Sequence, residues 1–138
     1  MDQRQLRIPN RLDALVELER WVAQTARAWA LSDPLNFALD LLITETASNI
    51  IQHGYPQGGN GQIHIHLSST GDQLCIAVED DGIAFDPTAH DVPPPAATLA
   101  ATSLGGRGIG LIRHFSDAQY YDHASGRNRL RLLLKTQQ

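Results

Sequence analysis

The stretch "QLCIAVEDDGIAF", residues 73–85, decides the reading of this chain. Leu74, Ile76, Val78 and Asp80 fall on one face of any strand that they form. A carboxylate is thereby aimed where the core should be, and Gly82 lets the chain turn away at once. Such a group cannot stay ionised against a core without donors. Two readings stand: a simple strand end, or a buried acceptor facing a pocket and suited to an amine donor such as the N6 group of adenine.

Upstream, "QIHIHLSS" (62–69) places Ile63, Ile65 and Leu67 on one face and His64 and His66 on the other, with Gly71-Asp72 as the tight connection of a hairpin. A metal reading of His-x-His lacks a third ligand nearby, so both histidines read as surface residues. Downstream, periodicity is lost from Ala84 to Gly106, and Pro93 to Pro95 fit no regular element. A loop of about twenty residues in so small a domain points to function, such as a lid over residues 86–106. "GIGLIRHFS" then reads as a short helix preceded by glycines, and "AQYYDH" and "NRLRLLLK" as a closing hairpin around Ser125-Gly126.

At the start, "RQLRIP" reads as an edge strand stopped by Pro9. Leu15, Leu18, Val22 and Ala26 recur at helical spacing between Leu12 and Leu31, with Asn10 as a cap. "SDP" opens a second helix, with Ser32 or Asp33 as N-cap and Pro34 in the first turn, which runs to Gln52 or His53 before Gly54 and Pro56. The order of elements predicts an α+β fold: a two-layer α/β sandwich with helices on one face of a mixed, mostly antiparallel sheet. A single domain over residues 1–138 is expected.

The chain has 138 residues, 42% apolar and 19% charged, a composition that supports a core rather than disorder. The net charge of −4 and the lack of a dense basic cluster argue against nucleic acid as a partner. Arg127, Arg129 and Arg131 alternate as the solvated face of a strand does. The single cysteine, Cys75, allows no intrachain disulfide and reads as a small buried hydrophobe. No apolar run approaches the ~20 residues of a spanning helix and no signal core is present, so no membrane association and a cytoplasmic location are expected.

Two further groups bear on chemistry. "ITETASNIIQH" sets Glu45, Asn49 and His53 on one helical stripe, while Leu39, Leu42, Ile43, Ala47 and Ile50 lie largely elsewhere and bury against the sheet. Asn competes for backbone hydrogen bonds in a helix interior, so its presence needs a reason. Either Glu45 and Asn49 bond each other on a wet face, or Asn49 coordinates a metal with Glu45 beside it as a base. In "LGGRGIGL", Gly106, Gly108 and Gly110 either form a flexible hinge or bring backbone N–H groups to an anion. A dinucleotide fingerprint would follow the first strand of a βαβ unit, and a Walker loop would need Gly-Lys-Ser/Thr; neither is present.

In combination, Glu-x-x-x-Asn on a helix, Asp-x-Gly after a strand, a lid and Gly-x-Gly-x-Gly resemble the GHKL (Bergerat-fold) ATP-binding domain shared by gyrase, Hsp90-type chaperones, histidine kinases and mismatch-repair ATPases. The resemblance is clearest from Asn36 to Lys135. "ETASNIIQHGY", "VEDDGIAFDP", "GGRGIGLIRHFSD" and "GRNRLRLLL" are most similar to the anti-sigma regulatory factor family, the bacterial anti-sigma factor serine/threonine kinases.

That resemblance implies ATP and Mg²⁺ as cofactors. Asn49 would coordinate the Mg²⁺ bridging the phosphates, and Glu45 would orient or deprotonate the attacking hydroxyl. Asp80 would take the adenine amine, Gly82 would give room for the base, and Gly106, Gly108 and Gly110 would wrap the phosphates. Arg107, the only basic residue between Glu79 and Gly110 apart from His90, is the expected γ-phosphate contact. Ala84 stands where the family commonly has a second glycine. The implied function is an anti-sigma factor that phosphorylates a STAS-type anti-sigma-factor antagonist and binds a sigma factor. A non-catalytic ATP/ADP-gated binding module of the same fold is the alternative. The edge strand at Arg4 to Ile8 would permit a homodimer.

Overall fold

The computed structural model describes residues 2–88 and 104–136, with residues 104–109 described by their backbone alone. Its elements are β1 (Asp2–Pro9), a 3-10 turn (Leu12–Ala14), α1 (Leu15–Ala28), α2 (Asp33–His53), β2 (Gln62–Ser69), β3 (Gln73–Asp80), α3 (Leu104–Phe115), β4 (Ala118–Ala124) and β5 (Arg127–Lys135). The five strands form one sheet in the order β1-β2-β3-β5-β4, and every pairing is antiparallel. The expected two-layer α+β sandwich is therefore observed, with no parallel pair among the described strands. Pro9 ends the edge strand β1 as the sequence predicts.

The core follows from period two. Ile63, Ile65 and Leu67 of β2, Leu74, Ile76 and Val78 of β3, and Leu130, Leu132 and Leu134 of β5 are all buried on the face that meets the helices. Leu39, Leu42, Ile43 and Ala47 of α2 close over them, flanked by Leu18 and Val22 of α1 and Ile112 of α3. Among the described residues, no helix is long and apolar enough to cross a membrane.

The boundaries correct four readings. The first helix begins after a 3-10 turn, at Leu15, and its N-terminus carries no side-chain cap. Asn10 instead accepts from the Gly61 N–H at 3.0 Å and donates its own N–H to the Gly61 carbonyl at 3.1 Å, tying the end of β1 to the start of β2. Cys75 is only half-buried, because it alternates with Leu74 and Ile76 and so points to the outer sheet face. The glycines of "LGGRGIGL" lie inside α3, which starts at Leu104, rather than ahead of it. The central part of the expected lid, residues 89–103, lies outside the described residues.

Ser32 caps α2 as expected, its hydroxyl accepting from the Leu35 N–H at 3.3 Å, with Pro34 in the first turn. At the other helix junction, Leu31 N–H donates to the Ala26 carbonyl at 3.0 Å and Ala30 N–H to that of Arg27 at 3.1 Å, closing α1 in a Schellman arrangement. The left-handed residue of this cap is Ala30, with φ of 50°, where a side chain costs about 1 kcal/mol or more. Ala30→Gly should therefore raise unfolding stability by about 1 kcal/mol, read as an increased urea midpoint with unchanged slope.

Candidate functional site

Asp80 is 3% exposed at the inward end of β3. Its Oδ1 accepts from the Gly82 N–H at 2.8 Å and from the Asn128 amide at 3.0 Å. Asn128 sits opposite Asp80 across the β3–β5 pairing and is itself buried. Its amide also donates to the carbonyls of Ile83 at 2.8 Å and Gly82 at 3.3 Å. Its oxygen accepts from the Tyr121 hydroxyl and from the Phe85 N–H. Asn128 thereby fixes both the carboxylate and the chain that leaves it. The sequence reading missed it, although Asn128, Leu130, Leu132 and Leu134 follow the same parity that exposed Asp80.

The loop after Asp80 is clamped to the end of α2. Ile83 N–H donates to the Gly54 carbonyl at 2.8 Å, and a Cβ on Gly82 would lie 2.4 Å from that oxygen. Only glycine permits this approach. Tyr55, just beyond the helix, donates its hydroxyl to Asp81 at 2.6 Å, and its ring covers Gly61 so closely that a Cβ there would lie 2.3 Å from it. Burial and the bond to Asp81 hold the Tyr55 phenol well above its ordinary range.

Asp80 faces a small, partly open pocket of about 20 Å³ between α2, the sheet and α3. Val78, Leu130, Ile50 and Ile112 give it apolar walls, while Asp80, Asn128, Asn49 and Thr46 supply polar groups. Asn49 is 4% exposed, and its Nδ2 is buried with no hydrogen-bond partner among the described residues. It is therefore not the wet-face residue bonded to Glu45 that one reading allowed. Glu45 lies one turn earlier, half-buried and outside the pocket lining; burial raises its carboxyl above the ordinary range. His53 is exposed and stacks on Phe85, with ring centres 5.8 Å apart.

Gly82 and Ala84 lie in the loop after Asp80. Gly106, Gly108 and Gly110 all fall within α3. The Arg107 side chain lies outside the described residues. His64 bonds Gln5 at 2.8 Å on the outer face, and among the described residues no group of three or more His, Cys, Asp or Glu side chains could hold a metal ion. Glu79 on that same face pairs with Arg129 at 2.7 Å.

A buried carboxylate and a buried amide nitrogen with no partner among the described residues thus share one pocket with apolar walls. Residues 8–134 match the family model of the histidine kinase-like ATPase domain. The chain belongs to this family. It is 35% identical to the serine/threonine-protein kinase BtrW of Bordetella bronchiseptica over 112 residues, 81% of this chain and 79% of that protein. It is 30% identical to the serine-protein kinase RsbW of Bacillus subtilis over 92 residues, 64% of this chain and 58% of that protein. The structure of the RsbU and RsbW domains of a Mycobacterium tuberculosis protein is similar with a TM-score of 0.67 at 13% identity, covering 96% of this chain and 32% of that one. A blue-light activated histidine kinase of Erythrobacter litoralis gives 0.55 at 19% identity, covering 77% and 32%. These two structural likenesses concern the fold of the histidine kinase-like ATPase domain alone.

Burial raises the pKa of Asp80 above its ordinary 3.8, against the lowering effect of the Asn128 and Gly82 hydrogen bonds. Above pH 3.8 the unfolded chain releases this proton before the folded one does, so the folded state binds more protons. Asp80 thus lowers stability progressively as pH rises from 3.8 through its raised folded value. Asp80→Asn should abolish that loss and leave the free protein at least as stable as wild type at pH 7, measured by thermal unfolding across pH. Gly82→Ala should instead destabilise by about 1–3 kcal/mol in urea denaturation, because the new methyl meets backbone that cannot rotate away.

Proposed function

We propose that this chain is an ATP-dependent serine/threonine protein kinase that modifies an anti-sigma-factor antagonist and also holds a sigma factor, so that phosphorylation decides which partner it keeps. The observation that carries the reading is the pairing of buried Asp80 with unpartnered Asn49 in one pocket, in a chain 35% identical to a serine/threonine-protein kinase. Asp80 accepts the adenine amine, and the apolar walls cover the base. The Asn49 side chain, buried with its Nδ2 lacking a partner among the described residues, suits Mg²⁺ through its oxygen, since a flip of the amide exchanges its two ends. When bound, Mg²⁺ supplies positive charge against the phosphates.

The protein's own groups then divide the work. Gly106, Gly108 and Gly110 of α3 let the backbone approach the phosphate oxygens closely. Arg107 is assigned to the γ-phosphate. Glu45, with its raised pKa, takes the proton of the attacking serine or threonine hydroxyl. The new Oγ–P bond forms as the bond from the γ-phosphorus to the bridging oxygen breaks, and ADP leaves with that oxygen. Its place outside the pocket lining suits a residue that meets a protein substrate rather than the nucleotide. The same position also fits the second reading, a nucleotide-gated binding module without catalysis.

The test is transfer of labelled phosphate from ATP to the cognate antagonist. Glu45→Gln should keep ATP affinity within about threefold and reduce transfer by ~10²–10⁴-fold. Asn49→Ala should weaken Mg-ATP binding itself, seen by calorimetry. Unimpaired transfer by Glu45→Gln would remove Glu45 from the mechanism. Absence of transfer by wild type, with the antagonist shown to bind, favours the switch.

A further inference from the structure

The described helices pack on one face of the sheet, and strand register fixes what stands on the other. Gln5, His66, Ala77, Arg131 and Tyr120 follow one another across β1, β2, β3, β5 and β4. The next row, toward the Asp80 end, is Arg7, His64, Glu79, Arg129 and Asp122. In that row charge is internally balanced. Arg129 Nε donates to Glu79 at 2.7 Å, and Asp122 lies on its other side. The row of Ala77 is not balanced. Arg131 has Ala77 and Tyr120 as cross-strand neighbours, with its guanidinium 5.4 Å from the centre of the half-exposed Tyr120 ring. Among the described residues, neither Arg131 nor His66 makes a hydrogen bond or an ion pair.

Ala77 is small, so the sheet surface is hollow between these two side chains. The hollow is an open trough of about 300 Å³, floored by Ala77 and Cys75 and flanked by His64 and His66 on one side and Arg129 and Arg131 on the other. Strands β2 and β5 lie two spacings apart, about 10 Å, which leaves room for a carboxylate between His66 and Arg131. The surroundings have the same sign. Arg7, Arg127, Arg129, Arg131 and Lys135 stand on this face against Glu79 and Asp122, so it is basic in a chain of net charge −4. We infer that the outer sheet face docks an acidic segment of a partner protein, one carboxylate of which sits over Ala77 between Arg131 and His66. Arg131 offers that carboxylate a planar pair of donors, already oriented on Tyr120. Leu133 beside Cys75 and the exposed Tyr120 ring add apolar area that a peptide covers and a free anion does not. A nucleic-acid strand fits poorly, because its regular phosphates would meet Glu79 and Asp122 in the adjoining row. A second copy stacked on the same face would bring like charges together. This surface lies on the opposite side of the sheet from the Asp80 pocket, and the inference is independent of what that pocket binds.

The experiment is fluorescence anisotropy of the whole chain with a fluorescein-labelled peptide of alternating glutamate and alanine. Wild type should bind it, and more weakly as salt rises. Arg131→Ala should bind about 3–10-fold more weakly, as expected for one charge-assisted contact. Ala77→Glu, which sets a carboxylate in the trough, should abolish binding. Arg20→Ala removes an exposed cation of α1, in the other layer, and should change affinity by less than about twofold. Arg131→Ala and Arg20→Ala should melt within a few degrees of wild type, so that a loss in the first is not a loss of fold. No peptide binding by folded wild type would overturn the inference, as would an equal loss in Arg20→Ala, which would mean diffuse charge attraction. A thymidine strand bound more tightly than the peptide, and lost with Arg131→Ala, would make the face a nucleic-acid surface instead. A dimer in sedimentation that Arg131→Ala dissociates would show that a second copy covers it, and would overturn the inference too.

Discussion

A carboxylate at the inward end of β3 organises this molecule. Asp80 follows three buried apolar residues on the same strand face, where an isolated charge would cost several kcal/mol. It is tolerated because the Gly82 N–H and the Asn128 amide both reach Oδ1. Those donors fix the rest. Gly82 can donate only if the chain reverses against Gly54, which binds the loop to the end of α2. Asn128 can donate only if β5 is the neighbour of β3, with Asn128 in register with Asp80. Strand order, loop path and helix end therefore meet at one oxygen atom.

Helix α2 has a corresponding division of labour. Its apolar residues Leu39, Leu42, Ile43 and Ala47 bury against the sheet, and Ser32 caps its start, so the helix is held by packing and termination. The pocket-lining positions Thr46 and Asn49 work against this, since each buries a polar atom with no partner among the described residues. Each such atom lowers stability. Asp80 adds to the same opposition, because burial raises its pKa despite those two donors.

Charge sets a further limit. The chain carries −4 overall, and the carboxylate in the pocket adds no attraction for an anion. Long-range steering of a polyanion is thus weak, and affinity must come from groups at close range. The glycines at 105, 106, 108 and 110 each lower helix propensity by about 1 kcal/mol relative to alanine, so α3 forms at its N-terminus largely because Ile112 anchors it in the core.

The sequence by itself determined the elements and the sidedness of the sheet. Period-two alternation in residues 62–69, 73–80 and 127–135 placed nine apolar side chains inward, and the same parity placed Asp80 among them. "SDP" and the glycine at position 54 delimited α2, because capping and termination are local effects. Tertiary structure decided what these elements meet. Asn10 became a clip between strands rather than a helix cap, because Gly61 lies beside it across 51 residues of chain. Asn49 proved buried and Glu45 half-buried, a distinction that helical spacing alone cannot make, since it depends on where α3 and the sheet close over the helix. The partnership of Asp80 with Asn128 joins residues 48 apart, and Gly82 against Gly54 joins two loops. Local sequence reports propensity and parity; the pairing of buried polar groups is a property of the packed chain, because each group is tolerated only through a partner that folding brings to it.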